Sequence, residues 1–187
     1  MKKILLMCLY VSLFSNLGKA QIHTGIGGKV AIPTEIGYPI DYAGIGLNIS
    51  GGYLFKEKLD INVSGENIWF HSYLKGFKIS SLQANVRYMI IKKPFKPYIG
   101  FGVGFFEVSY VFWPGEPKSR QSDIGYIPSI GALFNLGWVK GLFINPEFSY
   151  YYVHTIYNKI NPINFNIGLV YFLGSKKSAE ESKTAVQ

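Results

Sequence analysis

KPYIGFGVGFF, residues Lys96–Phe106, places three glycines at spacing two, Gly100, Gly102 and Gly104. A dinucleotide-binding turn needs a strand, then G-x-G-x-x-G, then a helix. Here the spacing is G-x-G-x-G, and the large residues Ile99, Phe101, Val103 and Phe105 continue straight through it. The period is therefore two, with small residues on one face and large apolar ones on the other. The stretch predicts an uninterrupted strand, with a phase change at the double Phe105–Phe106.

The same pattern recurs along the chain. In Tyr42–Phe55 the odd positions include Ile45, Leu47, Ile49, Tyr53 and Phe55, and the even ones Gly44, Gly46, Asn48, Ser50 and Gly52. Eight such segments can be read: 23–32, 43–55, 59–70, 77–90, 98–111, 124–136, 142–153 and 164–172. Short connections at 56–58, 92–97 and 137–141 alternate with longer ones at 33–42, 71–76, 112–123 and 154–163. Long strands joined by short and long connections in alternation predict an all-β fold, an eight-stranded antiparallel up-and-down transmembrane β-barrel. The short turns would face the periplasm and the long loops the outside.

Which face points inward decides between this barrel and a soluble lipocalin, which has the same strand count. An apolar interior would have to hold Ile45, Leu47, Ile49, Ile144, Phe148, Phe165 and Leu169, leaving an outer surface of Gly, Asn and Ser with little charge. Water-facing surfaces carry more charge than that. With the apolar face outward, the lumen receives His23, Lys29, Asn48, Ser50, Asn62, Ser64, Glu66, Gln83, Asn85, Arg87, Ser129, Asn135, Glu147, Ser149, Asn164 and Asn166. This set predicts a polar interior without an apolar core. Tyr53, Phe55, Trp69, Tyr88, Tyr126, Trp138, Tyr150, Tyr152 and Tyr171 fall near strand ends, as aromatic girdles do.

Composition agrees with export. Residues 1–20, MKKILLMCLYVSLFSNLGKA, combine Lys2 and Lys3 with a short apolar run and small residues before Gln21. They read as a cleaved signal peptide, too short in its apolar part to span a bilayer as a helix. The one cysteine, Cys8, lies within it, so the exported chain would have no disulfide and no thiol chemistry. The formal charge is +8 over 187 residues, and about +5 without the signal lysines Lys2, Lys3 and Lys19. No dense Lys/Arg run favours nucleic acid, and the balance suits anionic lipid head groups instead. Domain organisation is thus signal peptide 1–20, barrel 21–174 and a disordered polar periplasmic tail 175–187.

YIGFGVG at Tyr98–Gly104, NPEFSYYY at Asn145–Tyr152 and NFNIGLVYFLG at Asn164–Gly174 resemble the small porin-like outer-membrane β-barrel family. This is the outer membrane protein beta-barrel domain of OmpX-like and OmpW-like proteins. The resemblance covers residues 21–174 and implies the cell outer membrane of a Gram-negative bacterium, reached through the barrel assembly machinery. Likeness to the OmpW-like members implies a narrow channel for small, apolar molecules as the alternative to a structural or interaction role. In that family an aromatic residue commonly ends the chain, whereas Tyr171 and Phe172 here are followed by a polar tail.

Four charges fall on the inward phase: Lys29, Glu66, Arg87 and Glu147. Charges in a narrow lumen are costly unless paired and hydrogen-bonded, so they predict an ion-pair network that plugs the interior. Lys118 and Arg120, in the segment FWPGEPKSRQSDIG (112–125), are candidates for an external contact with lipopolysaccharide phosphates or an envelope protein partner. His71 with Ser72 and His154 with Thr155 raise the idea of a lipid A-modifying enzyme. Adjacency in sequence does not make a nucleophile and base, and His23, His71 and His154 are too scattered for a metal site. No residue is assigned a catalytic, cofactor-binding or metal-ligating role, and the histidines are read as loop or interface residues.

Overall fold

In the computed structural model, which describes residues 20–34, 43–70, 77–91, 95–110, 119–153 and 161–173, the alternation resolves into pairing. The strands are β1 (Ala20–Pro33), β2 (Gly44–Phe55), β3 (Leu59–Phe70), β4 (Lys78–Met89), β5 (Phe95–Tyr110), β6 (Ser119–Asn135), β7 (Leu142–Tyr150), β8 (Tyr152–Val153) and β9 (Pro162–Leu173). β7 and β8 form one stave of the wall, interrupted only at Tyr151, and both pair with β6 in a single register. Every pairing is antiparallel, and β5 meeting β6 closes the sheet into an eight-stave barrel.

Partners followed around the wall run Gln21, Leu54, Asp60, Arg87, Gly100, Ser129, Ser149, Asn164 and back to β1 at Ala31, ten residues beyond the start. A stagger of ten over eight staves corresponds to a strand tilt of about 40°. Such a narrow barrel has room inside for side chains and little else.

The apolar residues of the alternation point outward. Ile45, Leu47, Ile49, Leu82, Phe101, Ile130 and Phe148 are all exposed, while Asn62, Glu66, Gln83 and Arg87 are buried. Tyr53, Trp69, Tyr88, Tyr126, Tyr152 and Tyr171 are likewise outward, and Trp138 stands clear in a turn.

The interior departs from the sequence reading. It is not wholly polar: two apolar layers enclose a polar middle. At the long-connection end Ile68, Phe70, Phe77, Phe106, Val108 and Tyr151 pack together. At the short-turn end Leu54, Met89, Tyr98, Leu133, Phe143 and Phe172 do the same. The physical reason is that buried ion pairs hold only where water is kept out, and large inward side chains at each end do that for the middle.

Four further readings are corrected. Phe105 is 54% exposed and Phe106 fully buried, so alternation passes the double Phe without a phase change; Phe106 simply replaces glycine on the inward face. β5 begins at Phe95, with Lys96 and Pro97 inside it, because the Pro97 carbonyl still accepts from Ile90 N at 2.8 Å. β6 begins at Ser119, so the last five residues of the expected loop 112–123 are strand, paired with residues 106–110. Asn135, placed in the lumen by its phase, is the last residue of β6, in register with Phe143, and is exposed at the barrel rim, accepting from Gly137 N at 2.9 Å. Residues 1–19 of the expected signal peptide 1–20 and the tail lie outside the described residues, as do His71, Ser72, His154, Thr155 and Lys118, while Ala20 is the first residue of β1.

Candidate functional site: the lumen charges and the outer rim

Inward phase is set by strand parity, and register decides which inward charges meet. Lys29 on β1 and Glu66 on β3 form one buried ion pair, with side chains 4% and 2% exposed. Lys29 Nζ also donates to the Tyr151 hydroxyl, which donates to Glu66 Oε2 at 2.7 Å and accepts from Gln83 Nε2 at 3.1 Å. The ammonium stands 4.7 Å from the Tyr151 ring centre. A single hydroxyl thus touches both charges, while Glu66 Oε1 is buried without a hydrogen-bond partner among the described residues.

Nearer the short turns a second set forms. Arg87 on β4 donates through Nη2 to Glu147 Oε2 on β7 at 2.6 Å, and the Tyr98 hydroxyl donates to the same oxygen at 2.6 Å. That hydroxyl also lies 2.8 Å from Asn145 Oδ1. Arg87 Nη1 is 3.6 Å from Asp60 Oδ2, and the Tyr98 ring centre lies 5.0 Å from the guanidinium carbon. Asp60 in turn accepts from His23 Nε2 at 2.6 Å and from Asn62 Nδ2 at 3.0 Å. One guanidinium therefore serves two carboxylates, with an imidazole on the second.

The four charges singled out from sequence are thus brought together as two pairs rather than one cluster. Amides and a hydroxyl join the pairs: Gln83 to Ser64 at 3.4 Å, Asn85 to Ser64 at 3.1 Å and Asn85 to Asn62 at 3.3 Å. The glycines of β5 make this possible. A Cβ at Gly102 would collide with the Asn85 amide, and one at Gly104 would sit 3.1 Å from Gln83 Cγ. Small residues on β5 leave the volume that long polar residues on β4 occupy.

Asp60, Lys96 and Tyr151 belong to the interior and were missed as lumen charges or their partners, whereas the phase had placed His23 there. His23 is buried, not a loop or interface residue. Asp60 shares its parity with Asn62, Ser64 and Glu66, and Tyr151 shares that of Glu147 and Ser149, which was the available signal. Lys96 is buried beside the Phe143 ring at 5.8 Å, with Glu57 at 4.0 Å. Arg120 is exposed on β6 and pairs in register with Ser109. Among the described residues, no group of three or more His, Cys, Asp or Glu is placed to hold a metal ion.

No family model and no curated protein matches the chain. Solved structures do. Neisserial surface protein A is 18% identical with a TM-score of 0.65, covering 82% of this chain and 96% of that one. Ail, the attachment invasion locus protein of Yersinia pestis, in complex with the heparin analogue sucrose octasulfate, is 16% identical with a TM-score of 0.56, over 82% and 97% of the two chains. The outer membrane protein OprG from Pseudomonas aeruginosa is 14% identical with a TM-score of 0.55, over 82% and 92%. The chain has the fold of the small eight-stranded outer-membrane β-barrels.

Proposed function

We propose that this is an outer-membrane barrel of a Gram-negative envelope, exported by its signal peptide, whose role is structural or interactive and is exercised by its wall and rim rather than through its lumen. The observation that carries this reading is the filled interior. Two ion-pair sets, Lys29 with Glu66 and Arg87 with Glu147, lie between apolar layers that close both ends. Opening a path would strip buried charges of partners, at a cost of several kcal/mol each, about 3–5 for a broken pair. That weighs against the narrow-channel alternative. Single-channel recording of purified protein in planar bilayers tests it: no discrete conductance steps are expected, and reproducible steps would contradict it.

The rim reading rests on Arg120. It is exposed at the long-connection end, outward on β6, with Lys78 two staves away in the same row through Ser109. Guanidinium and ammonium groups above an apolar band suit the phosphates of lipopolysaccharide or an anionic partner, in line with the polysulfated ligand in the Ail structure. Lys118, two residues before Arg120 in sequence and outside the described residues, is proposed as a further contact. Arg120→Ala should weaken retention of the protein on immobilised lipopolysaccharide, and unchanged retention would sink this contact.

A further inference from the structure

The outward wall holds a feature that neither a plug nor a plain lipid-facing surface requires. Across β2, β3, β4 and β5 an open groove of about 470 Å³ runs along the outside of the barrel. Its lower part is apolar, walled by Leu47, Ile49, Leu82 and Phe105, with Gly65 as the dent between them. Nothing replaces the missing side chain: a Cβ at Gly65 would meet only the Ser81 carbonyl, at 4.0 Å. A bilayer would fill such a dent with an aliphatic chain.

At the long-connection end the groove turns polar. Asn67, Ser80 and Glu107 are register partners on three adjacent strands, and all three point outward. Ser80 Oγ donates to Asn67 Oδ1 at 2.9 Å. Glu107 makes no hydrogen bond or ion pair among the described residues. Its cross-strand partners are Ser80 and Ser122, with Lys78 and Arg120 one outward step further along the same strands; Lys78 Nζ lies over the Trp69 ring, 5.6 Å from its centre. A carboxylate on the lipid-facing side, without a partner among the described residues, in a chain that is otherwise net positive, is suited to a cationic ligand.

We infer that this groove is a binding site for a single-chain amphiphile with a primary ammonium head, its chain in the Gly65 dent and its head donating to Glu107. The shape supplies the chain seat and the charge supplies the head selectivity. The site rests on the membrane-embedded reading, since only a bilayer presents such a molecule laterally.

Trp69, two residues beyond Asn67 on the same face, is a built-in reporter. With Trp113→Phe and Trp138→Phe it becomes the only indole. In phosphatidylcholine vesicles this protein is titrated with a chain-brominated alkylamine and with the matching brominated alcohol. The amine should quench Trp69 at a concentration lower by roughly two- to fivefold, the range of an exposed ion pair. Glu107→Gln should bring amine and alcohol to parity, and Gly65→Leu, which has room to be accommodated, should weaken quenching by both. Parity in the parent protein, a preference that survives Glu107→Gln, or indifference to Gly65→Leu would overturn the site while leaving the barrel in the membrane. Absence of quenching by either probe would overturn the membrane-embedded reading itself.

Discussion

The two faces of β4 carry opposite chemistry on alternate residues. Inward stand Gln83, Asn85 and Arg87; outward stand Leu82, Ala84 and Val86. Its neighbour β5 repeats the contrast in size, with glycines inward and Phe101, Val103 and Phe105 outward. In a water-soluble barrel the large apolar face would be the core. Here the interior is held by paired charges and hydrogen bonds, and the exterior is the greasy side. The lesson is that inward polar groups and outward apolar groups should each resist being exchanged for the other.

The largest effect is expected inside. Arg87→Met removes the only guanidinium that faces both Glu147 and Asp60. It should cost about 3–5 kcal/mol, because two buried carboxylates lose their counter-charge; thermal unfolding in detergent reads it, and unchanged stability would break the inner half of the contrast. On the outside, Phe101→Arg should cost about 2–4 kcal/mol of insertion free energy when folding into phospholipid vesicles is measured. A neutral or stabilising result there would mean that the outer face meets water.

Smaller changes sharpen the comparison. Tyr151→Phe keeps the ring and removes the hydroxyl shared by Lys29, Glu66 and Gln83, for about 1–3 kcal/mol in the same unfolding assay. Asn67→Lys, on the outward face just below Trp69, should cost no more than about 1 kcal/mol in the vesicle assay, as expected near an interface. A cost equal to that of Phe101→Arg would erase the depth gradient. Smallest is Glu57→Gly. Lys56 and Glu57 both have positive φ, 48° and 57°, in the turn closed by Lys58 N to Phe55 O at 2.9 Å. Glycine there should stabilise by about 0.5–1 kcal/mol, because only it adopts that geometry without strain.

Much of this architecture could be read in the sequence. Alternation alone gave the direction of Ile45, Leu47 and Ile49 against Asn48 and Ser50, and turn spacing gave the hairpin order. The start of β6 was hidden for a physical reason. Above the apolar band the outward residues are Arg120 and Ser122, as polar as the inward ones, so a period-two signal has nothing to act on. Which charges pair was equally hidden. Lys29 meets Glu66, and Arg87 meets Glu147, only through a stagger of ten residues around the wall, and stagger is a property of closure rather than of any single strand. The apolar layers escaped notice because Ile68, Phe106 and Tyr151 continue the inward phase beyond its polar stretch.

A pair of adjacent residues tests the facing and the closure together. Nitroxide labels on Asn85→Cys and Val86→Cys, each placed singly in protein reconstituted into liposomes, can be probed by collision with oxygen and with a neutral water-soluble nickel chelate. The label at residue 86 should respond strongly to oxygen and weakly to the chelate, and the label at residue 85 weakly to both. Strong response to the chelate at residue 85 would mean an open lumen, and at residue 86 an outer face in water; either would contradict a closed barrel with its apolar side turned to lipid.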